Sequence, residues 1–206
     1  MLIAFIEDQT LFRQFLAKFL REKMPTAEIA EYAALADIKP EVIRKADVLI
    51  LDIMLPDGNG LDWLEELENP PPTVILSTAD TDFILHKAFK GRAQAFVHKA
   101  ESMDVLMFAI KSVQEGRGYL SPKIQQLRAK LQTDPVAFPK ILNDQEIEVL
   151  KLFSEGLSDS ESASYLGLKV SSVIESRQSI MAKTDTVDQS GLLRYAAKHG
   201  FVELAS

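Results

Sequence analysis

Short apolar runs separated by longer stretches of helical period constrain this chain more than any other feature. Leu2–Ile6, Val48–Leu51, Val74–Leu76 and Ala95–Val97 are too short for core helices and rich in β-branched residues, with a weaker fifth run at Ala27–Ala30. Between the first two lies a clear helix, in which Leu11, Phe12, Phe15, Leu16, Phe19 and Leu20 recur at spacings of three and four, with Thr10 placed as N-cap and Pro25 just past the end. Pro70-Pro71-Pro72 marks a loop, and Met103–Glu115 gives a last amphipathic helix stopped by Gly116 and Gly118. Strand, helix, strand repeated in this way implies a parallel sheet covered by helices on both faces.

A length of 206 residues suits two domains better than one. The character of the sequence changes after Pro122: Lys123–Leu131 reads as a helical connector, Gln132–Pro139 as a linker, and from Ile141 only helical patterns follow. The expected organisation is a first domain over 1–122, a connector over 123–140 and a small all-α domain over 141–206.

A hydrophobic fraction of 47 % with 26 % charged residues excludes the disordered class. The opening MLIAFIEDQ has an apolar run too short for a membrane span and no basic leader, so no membrane segment is expected there. With no cysteine, disulfide frameworks, thiolate catalysis and cysteine zinc sites are excluded, and a cytoplasmic setting is expected. The net charge of −7 is shared by both parts, 20 acids against 17 bases up to Lys140 and 10 against 6 beyond it, so neither has the basic bias usual in nucleic-acid binders. His86, His98 and His199 stand far apart in the sequence without ligand spacing, which argues against a structural metal site built on them.

Three carboxylates fall at strand ends: Glu7 and Asp8 after the first strand, and Asp52 after Val48–Leu51. In an open parallel sheet, ligands bind at the carboxyl ends of the strands. If those two strands are neighbours the acids converge, and such a cluster is electrostatically costly unless a hard cation such as Mg²⁺ joins it. The next strand ends at Ser77 and the last at Lys99, delivering to the same edge the hydroxyl and the ammonium that a phosphoryl group on a carboxylate would need.

Glu7-Asp8, LDIMLPDGNG around Asp52, LST with Ser77 and FVHK with Lys99 resemble, in order and spacing, the motifs of CheY-like receiver domains over about 120 residues. The resemblance implies the flavodoxin-like doubly wound fold with five parallel strands. It makes Asp52 the acceptor of a phosphoryl group from a histidine kinase, with Glu7, Asp8, Asp52 and the Met54 main-chain carbonyl holding Mg²⁺. It also implies that the Ser77 hydroxyl moves to the phosphoryl group and that Phe96 follows it inward, and that Pro56, Gly58 and Gly60 form the turn beyond the acceptor. Arg92 and Ala95 stand where many relatives have glycine. A hydrolase with an Asp nucleophile and Mg²⁺ would carry a second Asp two residues after the first, where this chain has Met54.

From Leu142 the sequence resembles the LuxR-type helix-turn-helix of NarL/FixJ-type response regulators. Asn143 or Asp144 caps a helix with the apolar stripe Ile147, Leu150, Leu152 and Phe153; Ser158 caps a second, ending near Leu166; Gly167-Leu168 turns into a third from about Ser171 to Lys183, with Val173 and Ile180 facing inward. The third would be the recognition helix. Lys169, Ser171, Ser172, Arg177, Gln178 and Lys183 are the candidate DNA contacts. Its outer face, with Ser171, Ile174, Glu175 and Gln178, carries no base, and Ile174, Glu175 and Ser176 depart from the family's lysine, polar neutral residue and histidine. Two functions are therefore expected to compete: a phosphorylation-controlled transcription regulator that dimerises on DNA, and a receiver whose degenerate C-terminal bundle engages a protein.

Overall fold

The computed structural model describes residues 1–202, and they fall into two compact units. The first comprises Met1–Asp80 with Lys87–Arg128; the second takes in Thr81–His86 together with the residues from Ala129 onward. The division at Arg128 lies inside the stretch read as a connector.

In the first unit β1 (Leu2–Ile6), β2 (Glu28–Tyr32), β3 (Val48–Leu51), β4 (Thr73–Ser77) and β5 (Ala95–His98) form a parallel sheet in the order β2-β1-β3-β4-β5. The expected five strands are all present. A sixth, β6 (Tyr119–Leu120), adds in parallel to β5 at the edge and was not anticipated. The linking helices are α1 (Thr10–Lys23), α2 (Pro40–Lys45), α3 (Gly60–Glu66), α4 (Asp82–Lys90), whose first five residues belong to the second unit, and α5 (Met103–Gln114). Thr10 is the first helical residue rather than the cap; Gln9 occupies the cap position and makes no side-chain cap bond.

Every residue of β3, β4 and β5 is buried, as a sheet covered on both faces requires. One set of alternate positions, Ile3, Phe5, Val48, Ile50, Val74, Leu76, Ala95 and Val97, packs on Leu16 and Leu20 of α1 and on Leu106, Ile110 and Val113 of α5. Each of these side chains larger than alanine is worth roughly 1.5–3 kcal/mol of burial. The opposite set, including Ile6, Leu51, Ile75 and Phe96, is equally enclosed, and α2 and α3 contribute buried Ile43, Leu61 and Leu64. Half-buried Trp63, the single tryptophan of the chain, lines a cleft of about 260 Å³ with Leu35, Ile38, Ile43 and Leu67. The helix α6 (Pro122–Thr133) begins in this unit, where Ile124 is wholly buried.

The second unit is helical: α7 (Phe138–Ile141), α8 (Asp144–Ser154), α9 (Asp159–Leu166), α10 (Val170–Lys183) and α11 (Gln189–Lys198). Phe83, Phe138, Leu142, Ile147, Leu150, Val173, Ile180, Leu192, Ala196 and Phe201 form its core. Phe138, inside the stretch read as linker, has no exposed surface. Asn143, not Asp144, caps α8 through a reciprocal box with Glu146, and Ser158 caps α9 through the same device with Glu161. Gly167 closes α9 in the left-handed conformation (φ 66°), which only glycine adopts at little cost. The third helix of the sequence expectation, α10, starts one residue earlier than expected, at Val170, with Val173 and Ile180 buried as predicted. The last helix, α11, was not expected from the sequence, although Asp188 caps it and Leu192 and Ala196 mark its inner side. His86 and His199, distant in sequence, both meet the Phe138 ring, with centroids 5.3 and 6.0 Å away.

Candidate functional site

β1 and β3 are neighbours in register, Ile6 beside Leu51, so the residues that follow them emerge side by side. The Asp52 N–H donates to the Ile6 carbonyl (3.1 Å), extending the ladder as far as the acid itself. Glu7, Asp8 and Asp52 each bring a carboxylate oxygen within 4.8 Å of the others, the single such cluster of potential metal ligands among the described residues. Glu7 and Asp52 are buried and Asp8 is exposed, giving the cluster a closed floor and an open side. The loop is fixed from behind: the Arg13 guanidinium donates to the carbonyls of Glu7 (2.7 Å) and Asp8 (3.0 Å), and the Gln9 N–H donates to Glu7 Oε1 (3.1 Å).

β4 and β5 bring the other two groups. Ser77 is buried, its hydroxyl accepting from the Ala79 N–H (3.3 Å), and the Ser77 carbonyl accepts the Lys99 N–H (3.0 Å), tying the two strand ends together. The Lys99 ammonium lies 2.7 Å from Glu7 Oε2, hydrogen-bonds Asp52 Oδ2 and sits 5.1 Å from the centre of the Phe12 ring. The remaining oxygen, Asp52 Oδ1, accepts the Ile53 N–H (2.6 Å). Burial pulls the Lys99 ammonium down, but its hydrogen bonds to Asp52 and Glu7 outweigh that and hold its pKa above the usual 10.5. Burial pushes the Glu7 carboxyl above its ordinary 4.5, and the nearby Asp52 charge works in the same direction. One ammonium stands among three carboxylates, too few positive charges for the negative ones. A hard, oxygen-seeking divalent cation fits this donor set.

The turn beyond Asp52 is a two-residue antiparallel pairing of Met54-Leu55 with Gly58-Asn59. The Gly60 N–H donates to the Ile53 carbonyl (2.7 Å), and a Cβ at position 60 would run into the Asp52 carbonyl oxygen, so closeness rather than a special φ demands glycine there. Asn59 caps α3 by accepting from the N–H groups of Leu61 and Asp62. Asp57 accepts the Leu35 and Ala36 N–H groups (3.1 and 2.8 Å), linking this turn to the loop after β2. Phe96 is buried on β5 beside Ile75. The structure thus gathers Glu7, Asp8, Asp52, Ser77 and Lys99 at one sheet edge. Arg13 and Asn59 went unnoticed in the sequence, and Phe12 was read only as part of the apolar stripe of the first helix; the i+5 and i+6 spacing of Arg13 from the two acids was the available signal.

In the second unit, Lys169, Ser171 and Gln178 are exposed, and Ser172 is half-buried. Two of the expected DNA contacts are engaged within the unit. Arg177 pairs with Asp159 (2.8 Å) and stacks on Phe153, while Lys183 pairs with Glu146 (2.7 Å). Ser176 is buried and accepts a hydrogen bond from the Gln145 amide (2.8 Å).

Residues 3–111 match the family described as response regulator receiver domain. The chain is 30 % identical to the transcriptional regulatory protein UhpA of Escherichia coli, over 93 % of this chain and 95 % of that protein. It is 27 % identical to the oxygen regulatory protein NreC of Staphylococcus epidermidis, over 98 % and 100 % of the two chains. Among solved structures it resembles RcsB of Salmonella enterica serovar Typhimurium bound to a promoter in the presence of a phosphomimetic, with a TM-score of 0.64, 22 % identity and coverage of 96 % and 98 %. It also resembles the response regulator ChrA of a heme-sensing two-component system (TM-score 0.56, 24 % identity, 98 % of both chains). Both likenesses concern the fold.

Proposed function

The chain belongs to the response regulators, with the family's receiver domain over residues 3–111, and from that membership we propose that it accepts a phosphoryl group on Asp52 and regulates transcription through its helix-turn-helix unit. The observation that carries the first half is the buried Asp52 carboxylate, flanked by Glu7 and Asp8 and hydrogen-bonded by Lys99 at the carboxyl edge of a parallel sheet.

An Asp52 carboxylate oxygen attacks the phosphorus of a phosphohistidine on the partner kinase; the new O–P bond forms as the N–P bond breaks, and the electron pair returns to the imidazole. Glu7, Asp8 and Asp52, with the Met54 carbonyl, are the residues proposed to hold Mg²⁺, which when bound supplies positive charge to the phosphoryl oxygens. The Lys99 ammonium is then the fixed cation for one of those oxygens and the Ser77 hydroxyl the neutral donor for another. Movement of Ser77 toward the phosphoryl group gives buried Phe96 room to follow, and this shift in a two-state receiver is the proposed signal. The same aspartyl phosphate is lost slowly to water, so the protein has no turnover substrate of its own.

The output is proposed to be DNA binding as a homodimer in the cytoplasm. Lys169 at the N-cap of α10 and Ser171, Ser172 and Gln178 on it are the contacts in reach, with Arg177 and Lys183 at its flanks. UhpA is by name a transcriptional regulatory protein, and RcsB was solved on a promoter. The exposed, base-free side of α10 favours a second reading, in which the unit engages a protein instead.

The test uses purified full-length protein. Acetyl phosphate with Mg²⁺ should phosphorylate the wild type and not the folded Asp52→Asn variant, read on a phosphate-affinity gel; equal labelling of both would remove Asp52 from the role. Fluorescence anisotropy on random and genomic DNA pools, with and without beryllofluoride, should show tighter and more selective binding with the mimic. No binding at low salt would favour the protein-partner reading.

A further inference from the structure

Residues 171, 175, 178 and 182 share one side of α10, since each step along a helix turns about 100°. All four, Ser171, Glu175, Gln178 and Ala182, are exposed. The helix's two cations lie off this stripe, Arg177 held by Asp159 and Lys183 by Glu146. Glu175 is the stripe's single charged group, and among the described residues no hydrogen bond or ion pair engages it. A recognition helix that meets DNA with a carboxylate gives up affinity for phosphates, and so must gain something at the bases.

Resting on the reading of α10 as a DNA-facing helix, we propose that Glu175 is a specificity-determining residue that requires a cytosine in each half-site. An ionised carboxylate can only accept hydrogen bonds. In the major groove the donors are the amino groups of cytosine and adenine; guanine and thymine present acceptors at the matching places, against which a carboxylate is repelled and left unpaired. Adenine sets an acceptor nitrogen beside its amino group, whereas cytosine sets a C–H there, so a lone carboxylate is best matched by cytosine. Gln178, with both a donor and an acceptor, matches adenine's paired edge. The two residues are separated by about 4.5 Å of helix rise, at about 1.5 Å per residue, close to the spacing of neighbouring base pairs. The recognised step is therefore a cytosine adjacent to an adenine on one or other strand.

The test is selection from a random duplex library by the full-length protein with beryllofluoride and Mg²⁺, using the wild type, Glu175→Ala and Glu175→Gln. Anisotropy on the winning site and on its single-base variants then gives the size of each preference. The wild type should enrich cytosine at one position per half-site and lose on the order of tenfold or more in affinity when that base is changed. Glu175→Ala should lose the preference and bind random DNA more tightly, and Glu175→Gln should move it toward adenine. Thermal melts matched to the wild type establish that both variants are folded. Identical selected sequences for all three proteins would overturn the inference while leaving DNA binding intact. A wild type that binds no DNA would overturn the underlying reading and the inference with it.

Discussion

The tightest steric demand at the carboxylate cluster falls on a residue with no functional group. Gly60 lies so close to the Asp52 carbonyl that any side chain must displace the backbone of Asp52. Gly60→Ala is expected to cost about 1–3 kcal/mol of stability through overpacking and to slow phosphorylation by acetyl phosphate, measured by urea unfolding and by phosphate-affinity gel. In the sequence Gly60 reads as a turn glycine, because motif spacing reports chain direction and not the distance to an atom eight residues earlier. The acids themselves were legible, since each follows an apolar run and parallel sheets expose such positions at one edge. The grip of Lys99 on Glu7 was not, because it depends on strand order. Arg177 and Lys183 looked like free cations for the same reason: a helical repeat shows which residues share a side, but not which neighbouring helix that side meets. Glu146 makes this concrete. Burial pushes its carboxyl up, yet hydrogen bonds from Lys183, Ser179 and the Asn143 N–H prevail and hold it below 4.5. A lowered carboxyl adds stability that is present above pH 4.5 and lost as pH falls through the folded-state value. Glu146→Gln should therefore melt below the wild type at neutral pH, by about 2 kcal/mol, and the gap should close on acidification below that range.

At the scale of elements, the helix boundaries of the second unit follow from paired signals that sequence displays openly. Asn143 with Glu146 and Ser158 with Glu161 each satisfy two otherwise orphan N–H groups, and left-handed Gly167 closes α9. Ser158→Ala is predicted to destabilise the unit by about 1 kcal/mol, read as a shift in the urea midpoint with an unchanged slope. Two elements with weaker signals escaped notice. β6 has only two residues, too few to show any period, and exists because the chain leaving α5 meets the free edge of β5. α11 carries a cap and two buried positions one turn apart, a pattern too sparse to separate from a polar loop. Thr10 failed as a cap because α1 starts one residue earlier than the nearest hydroxyl would suggest.

For the whole molecule, two separate cores predict unfolding that is not two-state. Calorimetry should resolve more than one transition, and Phe138→Ala, which empties the centre of the helical core, should lower one of them by about 3–5 kcal/mol. The net charge of −7 and the internal pairing of α10's cations predict a shallow dependence of DNA affinity on salt, since few phosphate counterions are displaced. One further property follows from composition and placement together. The chain has a single tryptophan, and it stands on α3, three residues after the glycine pressed against the backbone of Asp52. Ultraviolet emission from the intact protein is thus a signal with one address. A change in that emission on adding a phosphoryl donor, present in the wild type and flat in Asp52→Asn, would let the chemistry be timed in unlabelled protein, with the molecule serving as its own optical clock.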